Sequence, residues 1–110
     1  MKIDEFIESS YYKSLDYNVK ELLNDLIEKL GNLDYVIIKR NEPVLVFKVR
    51  HMYEKNPRSK ANIATIRLKN GYITVGPYTN GDENIVSCRS TEDITEKLVE
   101  EIKDIYREKS

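Results

Sequence analysis

Residues 61–76 read Ala61-Asn-Ile-Ala-Thr-Ile-Arg-Leu-Lys69, then Asn70-Gly71, then Tyr72-Ile-Thr-Val-Gly76. Asn-Gly between two alternating runs is a strong hairpin signal, because a tight type I′ turn needs positive φ at both central residues. With Asn70 and Gly71 as the loop, Lys69 faces Tyr72, Leu68 faces Ile73, Arg67 faces Thr74 and Ile66 faces Val75. Side chains alternate between the two sides of a strand. Ile66, Leu68, Ile73 and Val75 therefore share one face and form a core wall. Arg67, Lys69, Tyr72 and Thr74 share the other, which reads as wet and basic.

Upstream of the hairpin, Val44 to Tyr53 reads as the longest strand. Leu45, Phe47 and Val49 point to the core, with His51 and Tyr53 continuing that side. The outward set adds Lys48 and Arg50 to the wet face. Between this strand and the hairpin lies Glu54-Lys-Asn-Pro-Arg-Ser-Lys60, a basic polar loop that places Lys55, Arg58 and Lys60 near the rim of the face. An earlier strand, Asp34 to Arg40, surrounds Tyr35-Val-Ile-Ile38 and ends at the turn signal Asn41-Glu42-Pro43. After the hairpin, residues 76–84 read as a turn-rich connection and Ile85 to Arg89 as a short strand.

Helices bracket the strands. Ile3, Phe6 and Ile7 mark a short one that Ser9 and Ser10 end. Leu15, Val19, Leu22, Leu23, Leu26, Ile27 and Leu30 recur at three- and four-residue steps, an amphipathic stripe. Asp16 or Ser14 suits its N-cap, and Gly31 the position just past its C-terminus. Ser90-Thr-Glu-Asp93 is a capping-box pattern with Asp in the acidic position. The stripe Ile94, Leu98, Ile102, Ile105 and Tyr106 follows. The order of helix, helix, about five strands, helix predicts one α+β domain over residues 1–110: an antiparallel meander with the N- and C-terminal helices on one face.

At 110 residues the chain suits a single modest core, and 40% hydrophobic with 34% charged residues is a globular composition. No apolar run reaches membrane-spanning length, so no membrane partner is expected. The N-terminus lacks an apolar signal region, and Cys88 is the single cysteine. Together these predict a cytoplasmic protein without disulfides. The net charge of −1 conceals a segregation. Residues 39–69 carry nine basic side chains against two acids, while the segments on either side are each acidic by four charges.

The residue pattern predicts no catalytic constellation. His51, the one histidine, reads as a structural side chain late in a strand, and Cys88 as a small buried apolar residue. Gly76 and Gly81 do not form a phosphate loop, and no metal-ligand spacing exists, so neither metal nor cofactor is expected. The expected function is a non-enzymatic binding module. Its basic sheet face would use Lys48, Arg50, Lys55, Arg58, Lys60, Arg67, Lys69 and Tyr72 on nucleic acid or another anionic surface, cations on phosphates and the ring on a base. The alternative is protein interaction. There the face, with Val44, Val46 and Met52 as an apolar fringe, docks an acidic protein or a second copy as a homodimerising regulatory domain. A phage or mobile-element inhibitor of a host nucleic-acid enzyme is one such protein.

The run Val86-Ser-Cys-Arg-Ser-Thr-Glu-Asp-Ile-Thr-Glu-Lys-Leu-Val-Glu-Glu-Ile-Lys-Asp-Ile-Tyr106 resembles the ending of small bacterial α+β domains of the predicted-transport-protein type. In those, a strand passes through a Ser/Thr-acid cap into a last helix that ends in an aromatic. The resemblance covers about a fifth of the chain and implies no catalytic residues.

Overall fold

The hairpin forms in the register its loop dictates. In the computed structural model, which describes all residues except 42, 56–58 and 80–81, Leu68 pairs with Ile73, Arg67 with Thr74 and Ile66 with Val75. The Lys69 N–H donates to the Tyr72 carbonyl at 2.8 Å, and Gly71 adopts φ +82°. Only glycine takes that conformation without steric cost.

The described elements, in chain order, are α1 (Ile3–Glu8), α2 (Ser10–Lys13), α3 (Tyr17–Leu30), β1 (Tyr35–Asn41), β2 (Val44–Val49), α4 (Arg50–Lys55), a 3₁₀ turn (Ser59–Ala61), β3 (Asn62–Leu68), β4 (Ile73–Thr79), β5 (Asp82–Glu83), β6 (Val86–Cys88), a second 3₁₀ turn (Thr91–Asp93) and α5 (Glu96–Lys109). Strands β1 to β4 form an antiparallel meander. β5 and β6 both pair with β4 and keep one register against it, so they act as a single interrupted fifth strand. The expected connection over residues 76–84 is thereby corrected. β4 runs on to Thr79, and the return pairing begins at Asp82. Pro77 sits inside β4 without an N–H to offer, and its carbonyl accepts from the Asn84 N–H at 3.3 Å.

Helix α3 follows its stripe: Val19, Leu22, Leu23, Leu26, Ile27 and Leu30 are buried, and Asp16 accepts from the N–H groups of Asn18 and Val19. The C-terminal helix begins later than its capping box. Asp93 accepts from the N–H groups of Arg89 and Ser90, but it closes a 3₁₀ turn. Thr95 is the N-cap of α5, accepting from Leu98 N–H at 3.2 Å. Residues of α1, α3 and α5 share one core cluster with Tyr35, Ile37, Leu45, Phe47, Val49, Ile66, Leu68, Ile73 and Val75, so the helices lie on one face of the sheet. Among the described residues no helix is long and apolar enough to cross a membrane.

The second correction concerns Arg50. The strand expected to continue to Tyr53 ends at Val49, and α4 follows. Val49 pairs with Tyr35, the first residue of β1, so the ladder on that side has run out. The Arg50 guanidinium then bridges Asp34 (Nε–Oδ1 2.8 Å, Nη2–Oδ2 2.7 Å) and Glu54 (Nη1–Oε1 2.9 Å). An i, i+4 pair of that kind supports a helical turn. His51 is consequently exposed rather than continuing the core side.

Candidate anion-binding face

β1 to β4 carry Lys39, Arg40, Lys48 and Arg67 and no acidic residue, and the acids of the sheet are Asp82 and Glu83 of the edge strand β5, whereas α1, α3 and α5 together carry eleven acids against six basic residues. Lys39 turns to the helix side, its Nζ 4.2 Å from the Tyr11 ring centroid, which leaves Arg40, Lys48 and Arg67 on the outward side. The helices cover one face of the sheet. On the other, the register aligns Val44, Arg67, Thr74 and Ser87 in one row, and Ile38, Val46, Thr65 and Gly76 in the next. Val36, Lys48 and Asn62 make a third row toward the opposite end.

This second face is not open at its centre. Val46 and Thr65 are each 1% exposed and Lys48 8%. Lys48 points away from the helices as the alternation requires, yet it is buried, and its Nζ donates to Asn62 Oδ1 at 2.6 Å. A register shift between Phe47 and Lys48 produces that pair. Phe47 faces Ala64 and Lys48 faces Asn62, so β3 contributes one extra residue. Ile63 and Ala64 both enter the core cluster while Asn62 joins Lys48 on the other side. Bulges re-aim side chains in this way.

The remaining expected site residues divide between the two ends of the sheet. Arg67 is half-buried and Lys69 exposed, both at the hairpin end. Tyr72 is half-buried against the core, with the Arg89 guanidinium 3.9 Å from its ring centroid, so one ring face is occupied. At the opposite end, Lys55 and Lys60 are exposed, and the Lys60 carbonyl accepts from Lys109 Nζ at 2.6 Å. Arg50 is committed to Asp34 and Glu54 and lies off the sheet. Arg58 falls outside the described residues. The expected apolar fringe is corrected as well: Val46 is buried, Val44 is half-buried, and Met52 packs against the core cluster.

Two cations absent from the expected set belong here. Arg40 stands exposed at the register shift between Lys39 and Asn41. Lys109, at the end of α5, has its Nζ 5.7 Å from the Tyr78 ring centroid. Burial lowers the Lys48 ammonium below its ordinary range, and the charges of Arg40 and Lys109 lower it further. Lys48 Nζ also lies 6.0 Å from the Tyr53 ring centroid. The alternation within β1 offered a signal for Arg40. Nothing local signals Lys109, whose place depends on how α5 docks.

Cys88 and His51 lie at opposite ends of the sheet. Cys88 pairs with Ile73 beside the hairpin turn, and His51 follows the far end of β2. The Cys88 thiol is buried and pushed up to about 11, chiefly by that burial and then by Asp93. Among the described residues no three His, Cys, Asp or Glu side chains group for a metal ion. An open cleft of about 730 Å³ lies between the start of α1, the end of α3 and the start of β1. Its charges are mixed: Lys2 and Arg50 beside Asp4, Glu28 and Asp34. Comparison of the chain with protein families, with curated proteins and with solved structures finds no match.

Proposed function

We propose that this protein is a small non-enzymatic binding module whose ligand is a polyanion, nucleic acid foremost, engaged by the sheet face turned away from the helices. The observation that supports this most is the charge difference between the sides: Arg40, Lys48 and Arg67 and no acid on the outward side of β1 to β4, against a predominantly acidic helical layer. A one-sign field over one side of a small domain orients it toward a polyanion and speeds the encounter. Phosphate contact is favoured over base stacking, because Tyr72 already has Arg89 on its ring. The acidic-protein alternative loses its apolar fringe, since Val46 is buried and Met52 belongs to the core side.

The test is a salt titration against short single- and double-stranded oligonucleotides. It compares the wild type with a variant carrying Ser at Arg40, Lys60, Arg67 and Lys69. Binding at low salt, with a shallower dependence on salt in the variant because fewer counterions are released, supports the proposal. Flat wild-type curves at low salt would sink it and leave an acidic protein surface or a second copy of the chain as the partner.

A further inference from the structure

The geometry points to a second binding site, separate from the sheet face: the cleft between the start of α1, the end of α3 and the start of β1 takes a small organic cation, an ammonium group on a short apolar body. The cleft holds about 730 Å³, within the range of small-ligand sites. Ile3, Ile27 and Leu33 build its apolar side, and all three belong to the core cluster or pack against it. Such a surface holds the body of a ligand but not its charge.

The sign of that charge follows from what the acids of the lining lack. Glu28 stands in the last turn of α3, where carbonyls without an intrahelical partner carry the negative end of the helix dipole. A carboxylate there adds to that end instead of opposing it, so it costs stability unless a cation is near. The basic residue of the same turn, Lys29, is turned elsewhere. Its Nζ meets Asp25 Oδ2 at 2.7 Å and donates to the carbonyls of Thr91 and Ile94. The Glu28 carboxylate accepts from the Asn24 amide at 3.3 Å, and neither Glu28 nor Asp4 enters an ion pair among the described residues.

The cations of the lining do not answer both acids. The Arg50 guanidinium is committed to Asp34 and Glu54. Lys2 can offset one of the two charges, which leaves the other, together with the end of α3, to a ligand. An ammonium group has three donors, so it can bond a carboxylate and a helix-terminal carbonyl at once.

Three probes of matched size test the class at constant ionic strength: n-hexylammonium, hexanoate and 1-hexanol. The readout is the NMR shift of the Gly31 amide and of the Ile27 and Leu33 methyl groups. Hexylammonium should shift these signals saturably and hexanoate should not. Hexanol should bind about tenfold more weakly than hexylammonium, for want of one charge-assisted bond. Asp4→Asn combined with Glu28→Gln should bring hexylammonium down to the level of hexanol. Both side chains are exposed, so the fold should tolerate the changes, and Glu28→Gln alone serves if the pair does not fold.

The unliganded protein gives a further readout. Glu28→Gln should raise its melting temperature, because the charge opposed by the helix end is gone. A fall would show that the carboxylate is already neutralised within the fold, and would overturn the site. Equal binding of hexylammonium and hexanol, or unaltered hexylammonium affinity in the variants, also overturns it. Shifts from hexanoate overturn it in favour of an anion site at Lys2, and silence from all three probes overturns it outright. None of these results bears on the sheet face, whose test is the oligonucleotide titration.

Discussion

The two faces of the sheet are both buried, by different means. Toward the helices, Leu45, Phe47, Ile66, Ile73 and Val75 join the apolar stripes of α3 and α5 in one cluster. On the other side Val36, Val46, Thr65, Thr74, Lys48 and Asn62 are buried too, but all except the two valines are polar or charged. The first face gains stability from apolar area removed from water. The second has to satisfy or tolerate polar groups, and it does so unevenly: Lys48 has Asn62, whereas the Thr65 and Thr74 hydroxyls find no hydrogen-bond partner among the described residues. A face that keeps buried polar groups, at a cost of roughly 1–3 kcal/mol for each one left unsatisfied, is not optimised for packing alone. That difference is why the proposed function is drawn from the second face.

The largest expected effect tests the first face. Ile66→Ala should cost about 2–5 kcal/mol, since it deletes a fully buried side chain from the cluster and leaves a cavity. Denaturant unfolding measures it, and a loss under 1 kcal/mol would mean that the two faces do not differ as described. Next comes the turn that sets their register. Gly71→Val should cost roughly 1–3 kcal/mol, because a β-branched residue resists the observed φ of +82°. No atom outside the turn lies within 4 Å of a Cβ built at Gly71, so the penalty would be conformational rather than a clash. A wild-type melting temperature for this variant would contradict that account.

A smaller effect of opposite sign tests the second face. Thr65→Val keeps the shape of the side chain and removes a buried hydroxyl that lacks a partner. It should stabilise the fold by about 1 kcal/mol, the desolvation penalty relieved. Loss of stability on that change would show that the hydroxyl is satisfied by an ordered water or a bound group.

Much of the first face was legible in the sequence, because its signals are local. Asn70-Gly71 sets a register, and alternation then assigns Ile66, Leu68, Ile73 and Val75 to one side. Asp16 and Gly31 bound α3 by capping chemistry that acts within one turn. The second face was legible only as to direction. Alternation says that Lys48 points away from the helices; it says nothing of depth, which depends on the neighbouring strands and on the shift that brings Asn62 alongside. The end of β2 was misread for a related reason. His51 and Tyr53 continue an alternating pattern, but a strand needs a partner, and β1 begins only at Tyr35. The ion pairs of Arg50 with Asp34 and Glu54 then favour a helical turn. Only the second of these pairs, at i, i+4, is local in sequence. The hydrogen bond from Lys109 to the Lys60 carbonyl joins residues 49 positions apart and leaves no local trace.

The smallest expected effect separates two lysines that the alternation of the strands treats alike. Lys69 is exposed at the hairpin tip, so Lys69→Ala should change stability by no more than about 0.5 kcal/mol at neutral pH. Lys48 is buried, and both its burial and the nearby charges of Arg40 and Lys109 lower its pKa below the unfolded value of 10.5. In the interval between the lowered pKa and 10.5, the unfolded chain binds more protons at this site than the folded one. Stability therefore rises with pH across that interval, as the folded protein sheds a charge that is costly to bury. Cys88 acts in the opposite direction, since its thiol is pushed up to about 11, but it is present in the variant as well as the wild type and cancels from the difference. The wild type should thus gain on Lys48→Met as pH rises toward 10.5. Thermal unfolding at neutral pH measures the Lys69→Ala effect, and unfolding of the wild type and Lys48→Met from neutral pH upward measures the trend. Parallel pH profiles for wild type and Lys48→Met would mean that the Lys48 ammonium stays solvated in the folded protein and that the second face is not closed around it.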